Sequence, residues 1–475
     1  MIIIEIDGSY GKVIGAGRAT LKALSNTLSY KVQGAENSEL YRKHRWDGMK
    51  HLFNMNTKKF PVGLLPIVRG VLINEQYRIV DKTRSLTFRE PLECSGLDIR
   101  PYQLEAKEKA LEAHRGILQV ATGGGKTVIA AVIIAELSTN TLFMVHTKDL
   151  LYQAKKSFED ILGIHVGQIG DGIVDIQQVT IATTQSMATY MGVKFDKSGA
   201  DKKEKPIDQS KASKILEFAQ SVDLVIWDEV HRIACDMACG VAEKLPAPYK
   251  IGLSASPWRD DGNDMLIQGY IGDIVYKLSA SNLIRQGYLV RPIIKMEYIE
   301  SNGNLIDLTY DQVYKKQVVD NYARNLKIVD LALGLLSRGI PTLILVKQIK
   351  HGKDLQKIFR EKFGEVRFLS GNDISTYRNQ TIEMMKEGTI DILIASTIAD
   401  EGLDIPVIGG IILAGGGKST TRALQRIGRA IRLSEGKTEA IIYDLVDQAP
   451  YLLQQGMQRK NLYKSEEEFI IYDFK

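Results

Sequence analysis

The segment from Val120 to Thr127, with the sequence VATGGGKT, combines residue types that suit a phosphate site. Glycine lets the backbone approach a phosphate closely, and the N–H groups at a helix N-terminus can surround one. The lysine of such a segment reaches the β- and γ-phosphates of ATP, and the hydroxyl that follows it ligates Mg²⁺. The general pattern begins with glycine where this chain has Val120, but the rest favours an ATP site over a glycine-rich turn with a chance lysine. The predicted ATP-binding residues are Thr122, Gly123, Gly124, Gly125, Lys126 and Thr127.

A second candidate site is the acidic segment Asp228-Glu-Val-His231, which directly follows the apolar run DLVIW. A carboxylate at the end of a buried strand, opposite a phosphate loop, is where nucleotide hydrolases of this kind hold Mg²⁺. We therefore expect Asp228 to join Thr127 as a magnesium ligand. Glu229 could orient or deprotonate the attacking water. Without Lys126 upstream, an exposed acidic turn would be the better interpretation of this segment.

Arginines form a third candidate group in the segment Gln425 to Arg432, with the sequence QRIGRAIR. Arg429 and Arg432 are three residues apart, so they share one face of a helix. Guanidinium groups can stabilise the charge that develops on a γ-phosphate, and the alternative is a solvated basic helix. The preceding AGGGKS, from Ala414 to Ser419, resembles a phosphate loop but lacks the threonine before the glycines. It is interpreted as a strand-to-helix turn, with a second nucleotide site as the weaker alternative.

Two series of short apolar runs predict the framework that positions these residues. The first series contains GILQV, TLFMV, QVTIA, DLVIW and KIGL, and the second contains TLILV, EVRFL, DILIA, GIILA and EAIIY. Most runs are followed at once by polar or glycine-rich residues. Short runs of this kind separated by helical stretches indicate parallel sheets with crossover helices, and such sheets bind ligands beyond the carboxyl ends of their strands. The sequence therefore predicts an α/β fold with two tandem parallel-sheet domains.

The part before these series reads as a small α+β domain, in which MIIIEI and Ile67 to Ile73 are predicted strands and Ala19 to Tyr30 is a predicted helix. Residues 192–214 are polar, rich in lysine and broken by glycine and proline, which predicts an insert loop. The predicted domains are a basic DNA-binding domain at residues 1–95, an ATP-binding domain at 96–285, a second α/β domain at 286–450 and a C-terminal tail at 451–475.

Composition and charge narrow the class of protein. The chain has 475 residues, of which 44% are hydrophobic and 25% charged, as in ordinary folded proteins. Its three cysteines exclude a disulfide scaffold, and Glu5 and Asp7 interrupt the apolar core that a signal peptide needs. We therefore expect a cytoplasmic protein, located in the cytoplasm of the host cell if a phage encodes it. No apolar run is long enough to span a membrane.

The charge of the chain is unevenly distributed. Residues 1–95 hold 15 Lys and Arg against 9 Asp and Glu, whereas the remainder holds 47 Lys and Arg against 48 Asp and Glu. The positive surplus is therefore confined to the N-terminal fifth, which favours a polyanionic partner there.

Within that fifth, the stretch from Tyr41 to Phe60 is the strongest candidate for nucleic-acid binding. It holds six Lys and Arg against one acid, Asp47, with Tyr41, Trp46, Phe53 and Phe60 interleaved. Basic side chains can meet phosphates while aromatic rings stack on exposed bases. The alternative is that the aromatics form the core of a small domain and the charges a solvated face. The predicted DNA contacts are Arg45, Trp46 and Lys50.

Taken in order, these motifs resemble those of the superfamily 2 helicases and translocases over about residues 98–448. The resemblance implies two RecA-like domains, ATP and Mg²⁺ as cofactors, and DNA as the partner. It places Gln425 near the attacking water, beside Arg429 and Arg432. It implies nucleotide contacts by Gln103, Gly402 and Asp404, and coupling of the nucleotide site to DNA by Ser254, Ala255 and Ser256. It implies nucleic-acid contacts by Thr147, Thr183, Gln185, Ser370, Gly371 and Thr397.

Two branches of the superfamily are resembled most. Ser254-Ala-Ser256 followed by PWRDD resembles the XPB-type branch, in which an Arg-Glu-Asp element is implicated in duplex opening. That likeness implies a coupling role for Arg259, although Asp260 stands where the glutamate would be. The WDG from Trp46 and the FPVGL from Phe60 resemble the N-terminal domain of UvsW-type phage helicases, which remodel branched DNA. The resemblance implies an ATP-dependent motor that unwinds or branch-migrates duplex DNA in replication, recombination or repair.

Three alternatives remain open from the sequence. An RNA helicase is disfavoured modestly, because the acidic motif reads DEVH rather than DEAD and the arginine motif begins with Gln425 rather than His. The motor of a restriction system would need a nuclease, and we find no convincing paired-carboxylate-and-lysine motif. A clamp that uses ATP only as a switch would carry the same motifs as a motor.

Overall fold

A computed structural model describes residues 1–193, 208–257, 263–396, 405–417, 420–434 and 436–474. The chain forms two compact units. Residues 1–120 and 125–277 make up the first unit, and residues 121–124 and 278–475 make up the second. Within the described residues, no helix is both long enough and apolar enough to cross a bilayer.

The first unit begins with a small α+β module around a four-stranded sheet. Its elements are β1 (Ile2–Ile6), β2 (Tyr10–Ile14), α1 (Arg18–Thr27), β3 (Ser29–Lys31), α2 (Glu39–Arg42), β4 (Met49–His51), β5 (Lys59–Pro61), α3 (Leu65–Val71) and β6 (Tyr77–Asp81), with 3₁₀ turns at Ala35–Asn37 and Val62–Leu64. The sheet order is β5-β2-β1-β6, with β1 antiparallel to β2 and parallel to β6, while β3 and β4 pair separately. Alternate residues of β1 are buried, as expected for a strand with one face on a core.

One strand prediction in this module was wrong. The run from Ile67 to Ile73, predicted as a strand, lies largely in helix α3, and the strand follows at β6. A short apolar run does not distinguish a strand from a buried helix by periodicity alone. Pro66 in the first turn of α3 favours a helix start, because its missing N–H needs no partner there.

An eight-stranded, mainly parallel sheet forms the rest of the first unit. Its elements are α4 (Pro101–Ala113), β7 (Arg115–Val120), α5 (Lys126–Leu137), β8 (Thr141–Val145), α6 (Lys148–Leu162), β9 (Gly167–Gly170), β10 (Ile173–Asp175), β11 (Val179–Thr183), α7 (Thr184–Tyr190), α8 (Gln209–Ser221), β12 (Leu224–Asp228), a 3₁₀ turn (Val230–Ile233), α9 (Asp236–Glu243), β13 (Tyr249–Ser254), α10 (Asp264–Tyr270) and β14 (Ile274–Leu278). The strand order is β10-β9-β11-β8-β12-β13-β7-β14, and neighbours from β9 to β7 run parallel. Strands β8 and β11 are buried along their whole length, which explains their continuous apolar runs.

The N-terminal module and this sheet share one hydrophobic core. Phe60, Val62 and Leu64 of the module belong to the same buried cluster as Trp227 and Ile271 of the parallel-sheet domain. Gly63 lies so close to helix α10 that an added Cβ would be 2.1 Å from a backbone carbonyl oxygen. The module is therefore packed into the first unit rather than tethered to it.

Buried polar contacts reinforce this packing at the tip of the β1–β2 hairpin. Ser9 Oγ donates to the carbonyl of Leu245 at 3.1 Å, and Lys250 Nζ donates to Ser9 Oγ at 3.1 Å. Burial lowers the pKa of Lys250 well below its ordinary value. In the segment after β6, Arg84 pairs with Asp223, whose side chain is fully buried. Removing one partner of such a buried group leaves the other unsatisfied, which is costly.

We expect deletion of residues 1–95 to destabilise the whole first unit, although the sequence alone suggests that the motor begins near residue 98. Each large apolar side chain lost from a core costs about 2–5 kcal/mol, and a domain is stable by only about 5–15 kcal/mol. Calorimetry should show a much lower Tm for the truncated chain, whereas Lys22→Ala, at an exposed position of the same module, should lower it only slightly. An unchanged Tm after truncation would show that the shared core does not stabilise the parallel-sheet domain.

The second unit is built on a seven-stranded sheet whose neighbouring strands all run parallel. Its elements are α11 (Ala280–Arg285), β15 (Arg291–Ile299), α12 (Tyr310–Tyr314), a π-helical turn (Lys315–Val319), α13 (Tyr322–Leu336), β16 (Thr342–Leu345), α14 (Ile349–Lys362), β17 (Arg367–Leu369), α15 (Ser375–Lys386), β18 (Ile392–Ala395), β19 (Gly410–Leu413), α16 (Thr420–Ala430), β20 (Glu439–Asp447), α17 (Leu452–Lys464) and β21 (Ile470–Phe474). The strand order is β17-β18-β16-β19-β20-β15-β21.

The segment at 451–475, predicted as a tail, contains a helix and a strand. Helix α17 packs against β20, and β21 extends the sheet by pairing with β15. The short apolar run EFIIYDF that carries β21 comes after a helix and a charged segment, so it lacks the repeated strand-then-polar pattern of the other runs.

Candidate active site

The glycine-rich segment forms a tight turn between β7 and α5. Gly123 and Gly125 have φ angles of +88° and +74°, a left-handed region that side chains with a Cβ rarely adopt. A Cβ at Gly125 would lie 2.5 Å from Gln103 Nε2, so the position must stay small. Gln103 is buried, and its Oε1 accepts from the backbone N–H of Arg100 at 2.9 Å. The backbone is thus free to approach a phosphate, and Gln103 lies beside the turn.

Lys126 and the acidic segment lie together at the carboxyl edge of the first parallel sheet. Lys126, the first residue of α5, has its Nζ 4.0 Å from Glu229 Oε1. Asp228 is the last residue of β12, and its Oδ1 accepts from the Glu229 N–H at 3.0 Å. Glu229 has a φ of +48°, and a non-glycine residue in this region costs about 1–2 kcal/mol. Strained backbone of this kind is frequent at active sites.

The carboxylate of Asp228 is buried beside a second carboxylate, that of Glu229. Burial, and next the carboxylate of Glu229, raise the pKa of Asp228 to about 7, while Lys126 acts in the opposite direction. Asp228 and Glu229 place two adjacent carboxylates at the end of a buried strand. Such a donor set, with hard oxygen ligands, suits a divalent cation of the Mg²⁺ type.

Ser254, the last residue of β13, is hydrogen-bonded to the acidic segment. Ser254 is buried, and its Oγ donates to Glu229 Oε2 at 3.4 Å and accepts from the Ser256 N–H at 3.2 Å. His231 Nδ1 lies 3.4 Å from both Ser254 Oγ and Glu229 Oε2. The backbone from Ser254 through Ala255 to Ser256 is therefore linked by hydrogen bonds to Glu229. Arg259 lies outside the described residues.

Sequence reasoning missed His146, which follows β8 at the same sheet edge. Burial lowers its pKa to about 4; Arg232 and His231 act in the same direction, and Glu229 opposes them. At neutral pH the imidazole is therefore uncharged. The only available signal was its place directly after a buried strand, because nothing in the local sequence shows its nearness to Arg232.

The predicted nucleic-acid contacts of the first sheet domain lie at helix starts. Thr147 caps α6, accepting from the Leu150 N–H at 3.3 Å, and Thr183 caps α7, accepting from the Ser186 N–H at 3.3 Å. Both hydroxyls therefore already accept a hydrogen bond within the protein. Gln185 is exposed. Phosphate contacts at these places would come mainly from helix N-terminal N–H groups and from Gln185.

In the N-terminal module the predicted DNA-contact residues differ in their exposure and in the partners that they already have. Arg45 is exposed, Trp46 is half-buried with its Nε1 donating to the Met49 carbonyl at 2.9 Å, and Lys50 Nζ is 3.3 Å from Asp236 Oδ1. The aromatics Phe53 and Phe60 are core residues, so for them the alternative interpretation is the correct one. Arg45 is the residue of this group best placed to meet a polyanion.

The second unit carries the remaining predicted residues. Ser370 is buried, its N–H donating to Asp373 Oδ2 at 2.6 Å, and Gly371 beside it is exposed. Arg429 lies in the last turn of α16, and Arg432 follows that helix, where burial lowers its pKa. Three other predicted residues lie outside the described part of the structure, namely Thr397, Gly402 and Asp404. The side chain of Gln425 also lies outside it.

Comparisons with known proteins give two family matches and several similar proteins. The family described as "Type III restriction enzyme, res subunit" matches residues 96–259, and "Helicase conserved C-terminal domain" matches residues 324–434. DNA 3'-5' translocase XPB2 of Sulfurisphaera tokodaii is 27% identical over 392 residues, covering 75% of this chain and 83% of that protein. ATP-dependent DNA helicase uvsW of Enterobacteria phage T4 is 23% identical, covering 95% of both chains.

A solved fragment of a putative HsdR subunit of a type I restriction enzyme from Vibrio vulnificus shares the fold. Its TM-score is 0.57 at 19% identity, covering 93% of this chain and 82% of that one. The motif-based resemblance to the XPB-type and UvsW-type branches is confirmed by the two curated relatives. The chain belongs to the superfamily 2 helicases, as an ATP-hydrolysing enzyme with two RecA-like parallel-sheet domains and a small N-terminal domain.

Proposed function

We propose that this helicase uses ATP hydrolysis to remodel branched duplex DNA. The observation that carries the proposal is the extent of the match to phage T4 uvsW, which covers 95% of both chains. That match includes the N-terminal module, which the two family matches at residues 96–259 and 324–434 leave out. The module also holds the positive surplus of the chain. Relatives named as DNA translocases or helicases favour DNA over RNA.

In the proposed reaction, Lys126 and the N–H groups of the glycine turn bind the β- and γ-phosphates. Thr127 and Asp228 would hold Mg²⁺, which when bound neutralises charge on the phosphate oxygens. Glu229 orients the attacking water and accepts its proton. The buried carboxylate of Asp228 next to that of Glu229 supports a cation at this place.

Further nucleotide roles fall to residues near the base and the γ-phosphate. Gln103, beside the glycine turn, is proposed to contact adenine. Arg429 and Arg432 are proposed to stabilise the charge that develops on the γ-phosphate, since a guanidinium group stays charged and offers paired donors. Roles at the nucleotide site are also proposed for Gly402, Asp404 and Gln425, on the resemblance alone.

DNA is proposed to contact both units through its phosphates. The candidate residues in the parallel-sheet domains are Thr147, Thr183, Gln185, Ser370, Gly371 and Thr397. In the N-terminal module, Arg42, Lys43 and Arg45 are exposed next to half-buried Trp46. Lys50 and Lys43 are proposed as weaker contacts, because Asp236 pairs with Lys50 and Glu39 pairs with Lys43. Ser254, Ala255, Ser256 and Arg259 are proposed to couple the two sites.

The proposal is tested by strand separation on forked, four-way and blunt duplexes, with ATP or a non-hydrolysable analogue. Branched substrates should be processed only with ATP, and the triple variant R42A/K43A/R45A should process them poorly. Each lost phosphate contact should also reduce the slope of log affinity against log salt by about 0.9.

The matched control is K22A/R69A/R78A, which removes the same charge from exposed positions of the same module outside the Tyr41 to Phe60 stretch. If both triple variants flatten the salt slope equally, the stretch has no special part in DNA binding. Processing of blunt duplexes alone, or strand separation with the analogue, would contradict the remodelling function itself.

A further inference from the structure

The turn that resembled a second phosphate loop is held by side chains from outside it. Residues 414–417 follow β19 and precede α16, the helix that carries Arg429. Arg324 Nη2 donates to the Ala414 carbonyl at 2.8 Å, and Tyr314 OH donates to the Gly415 carbonyl at 2.7 Å. Arg459 Nη1 donates to the Gly417 carbonyl at 2.7 Å. Three separate helices thus fix three of the four carbonyls of one short turn.

The two arginines that hold this turn are themselves anchored to strand β20. Arg324 contacts both carboxylate oxygens of Asp447, with Nε at 2.8 Å and Nη2 at 3.1 Å. Arg459 contacts both oxygens of Asp444, with Nε at 2.8 Å and Nη2 at 2.6 Å. Bidentate pairs of this kind fix the guanidinium plane as well as its position. The donors aimed at the turn are therefore rigid.

Stability alone does not explain these pairs. Arg324 and Arg459 are 1% and 4% exposed, and Asp447 and Asp444 are 3% and 0% exposed. Replacing buried ion pairs by well-packed apolar residues is often neutral or stabilising, because desolvation of the charges offsets their attraction. Apolar side chains, however, would not supply oriented hydrogen-bond donors for the carbonyls of the turn.

The turn needs such support because its own conformation is permissive. Gly416 and Gly417 have φ angles of +56° and +111°, and glycine loses more conformational freedom on ordering than other residues. A Cβ at Gly415 would lie 2.6 Å from the backbone nitrogen of Lys347, so bulkier and stiffer residues do not fit there. A π-helical turn follows Tyr314 directly, and such irregular turns are frequent at functional sites.

We propose that Tyr314, Arg324 and Arg459 are positioning residues for ATP hydrolysis. They fix the turn at residues 414–417 and so fix the start of the helix that presents Arg429 and, just beyond it, Arg432. This inference rests on the proposed role of those two arginines in stabilising charge on the γ-phosphate. Burial raises the pKa of Tyr314, so its phenol stays protonated and remains a donor to the turn.

The test uses two conservative variants of the full chain, Tyr314→Phe and Thr342→Val. Each removes one buried hydroxyl that donates to a backbone carbonyl, but the Thr342 hydroxyl bonds to Ile340 at the opposite end of the sheet, 2.9 Å away. A misplacement of about 1 Å can cost about 10²-fold in rate. We expect Tyr314→Phe, which loses one of three contacts, to lower DNA-stimulated kcat by about tenfold.

The KM for ATP and the affinity for a non-hydrolysable analogue should stay within about twofold in both variants, and kcat should be unchanged in Thr342→Val. Both should lower the Tm by similar small amounts. Arg459→Lys, which keeps a charge opposite Asp444 but loses the planar fork, should show the same loss of kcat at constant KM. A purely structural role would lower the Tm without this separation of kcat from KM.

The variant Arg429→Ala distinguishes failure of the positioning inference from failure of the proposed role of Arg429. If Arg429→Ala loses turnover while Tyr314→Phe and Arg459→Lys turn over normally, the positioning inference is overturned and the role of the arginine stands. If Arg429→Ala itself turns over normally, the proposed role of the arginine fails, and the inference fails with it. Equal losses of kcat in Tyr314→Phe and Thr342→Val would also overturn the inference.

Discussion

Replacing Lys126 by alanine should abolish ATP turnover and leave DNA affinity within a few fold of wild type. The ammonium group is placed at the start of α5, 4.0 Å from Glu229 Oε1, where the γ-phosphate and its attacking water are proposed to meet. Removing one preorganised donor from such a site typically costs about 10²–10³ in kcat, and here substrate binding is weakened as well. Phosphate release at saturating DNA and fluorescence anisotropy of labelled DNA give the two readouts.

Lys107→Ala is the matched control for this substitution. Lys107 Nζ pairs with Glu136 at 3.0 Å in the same unit, and the side chains of Lys107 and Lys126 are equally exposed, at 15%. Loss of an ordinary lysine–glutamate pair of this kind is worth about 0.2–1 kcal/mol. Lys107→Ala should therefore hydrolyse ATP normally. Wild-type turnover by a pure preparation of Lys126→Ala would overturn the assignment of the ATP site.

The grouping of Lys126 with the acidic segment was predictable because it is encoded in short local patterns. The glycine turn and the acidic segment each follow a buried strand, and parallel strands bring their carboxyl ends to one sheet edge. That rule places Lys126, Asp228 and Glu229 together without knowledge of the strand order. The hydrogen bonds that link Ser254 and His231 to Glu229 were not predicted, because they depend on side-chain geometry. The position of His146 was not predicted either, because it depends on the neighbouring strand.

Other features could not be predicted because they depend on packing between distant segments. The sequence predicts a domain of its own at residues 1–95, since no local pattern reveals that Phe60 and Leu64 are buried in a core shared with Trp227. The segment Ala414 to Ser419 resembled a phosphate loop through its glycines and the Lys-Ser pair that follows them. Its support comes from Tyr314 and Arg459, which are about 100 and 40 residues away and carry no motif.

Alanine substitutions at Arg429 and Arg432 should each lower the rate of ATP hydrolysis far more than they lower nucleotide affinity. A guanidinium group that acts on charge developing at the γ-phosphate contributes about 10³–10⁵ to the rate. Its contribution to ground-state binding is smaller, because that charge is not yet developed. Single-turnover hydrolysis and equilibrium binding of a fluorescent, non-hydrolysable ATP analogue measure the two quantities separately.

Arg360→Ala is the control, because Arg360 is an exposed arginine of the same unit that pairs with Glu365. It should leave both quantities unchanged. Arg429→Lys and Arg432→Lys should recover only part of the rate, since an ammonium group restores the charge without the paired planar donors.

The strictest comparison uses an analogue of the transferring phosphoryl group bound with ADP. An interaction that strengthens in the transition state must also strengthen with a good analogue of it, so the affinity for that analogue should fall in proportion to the rate. Affinity for the ground-state ATP analogue should stay nearly constant. A collapse of ground-state affinity with normal turnover at saturation would instead make Arg429 and Arg432 ordinary binding groups, and the catalytic role would have to be sought among other cations of the chain.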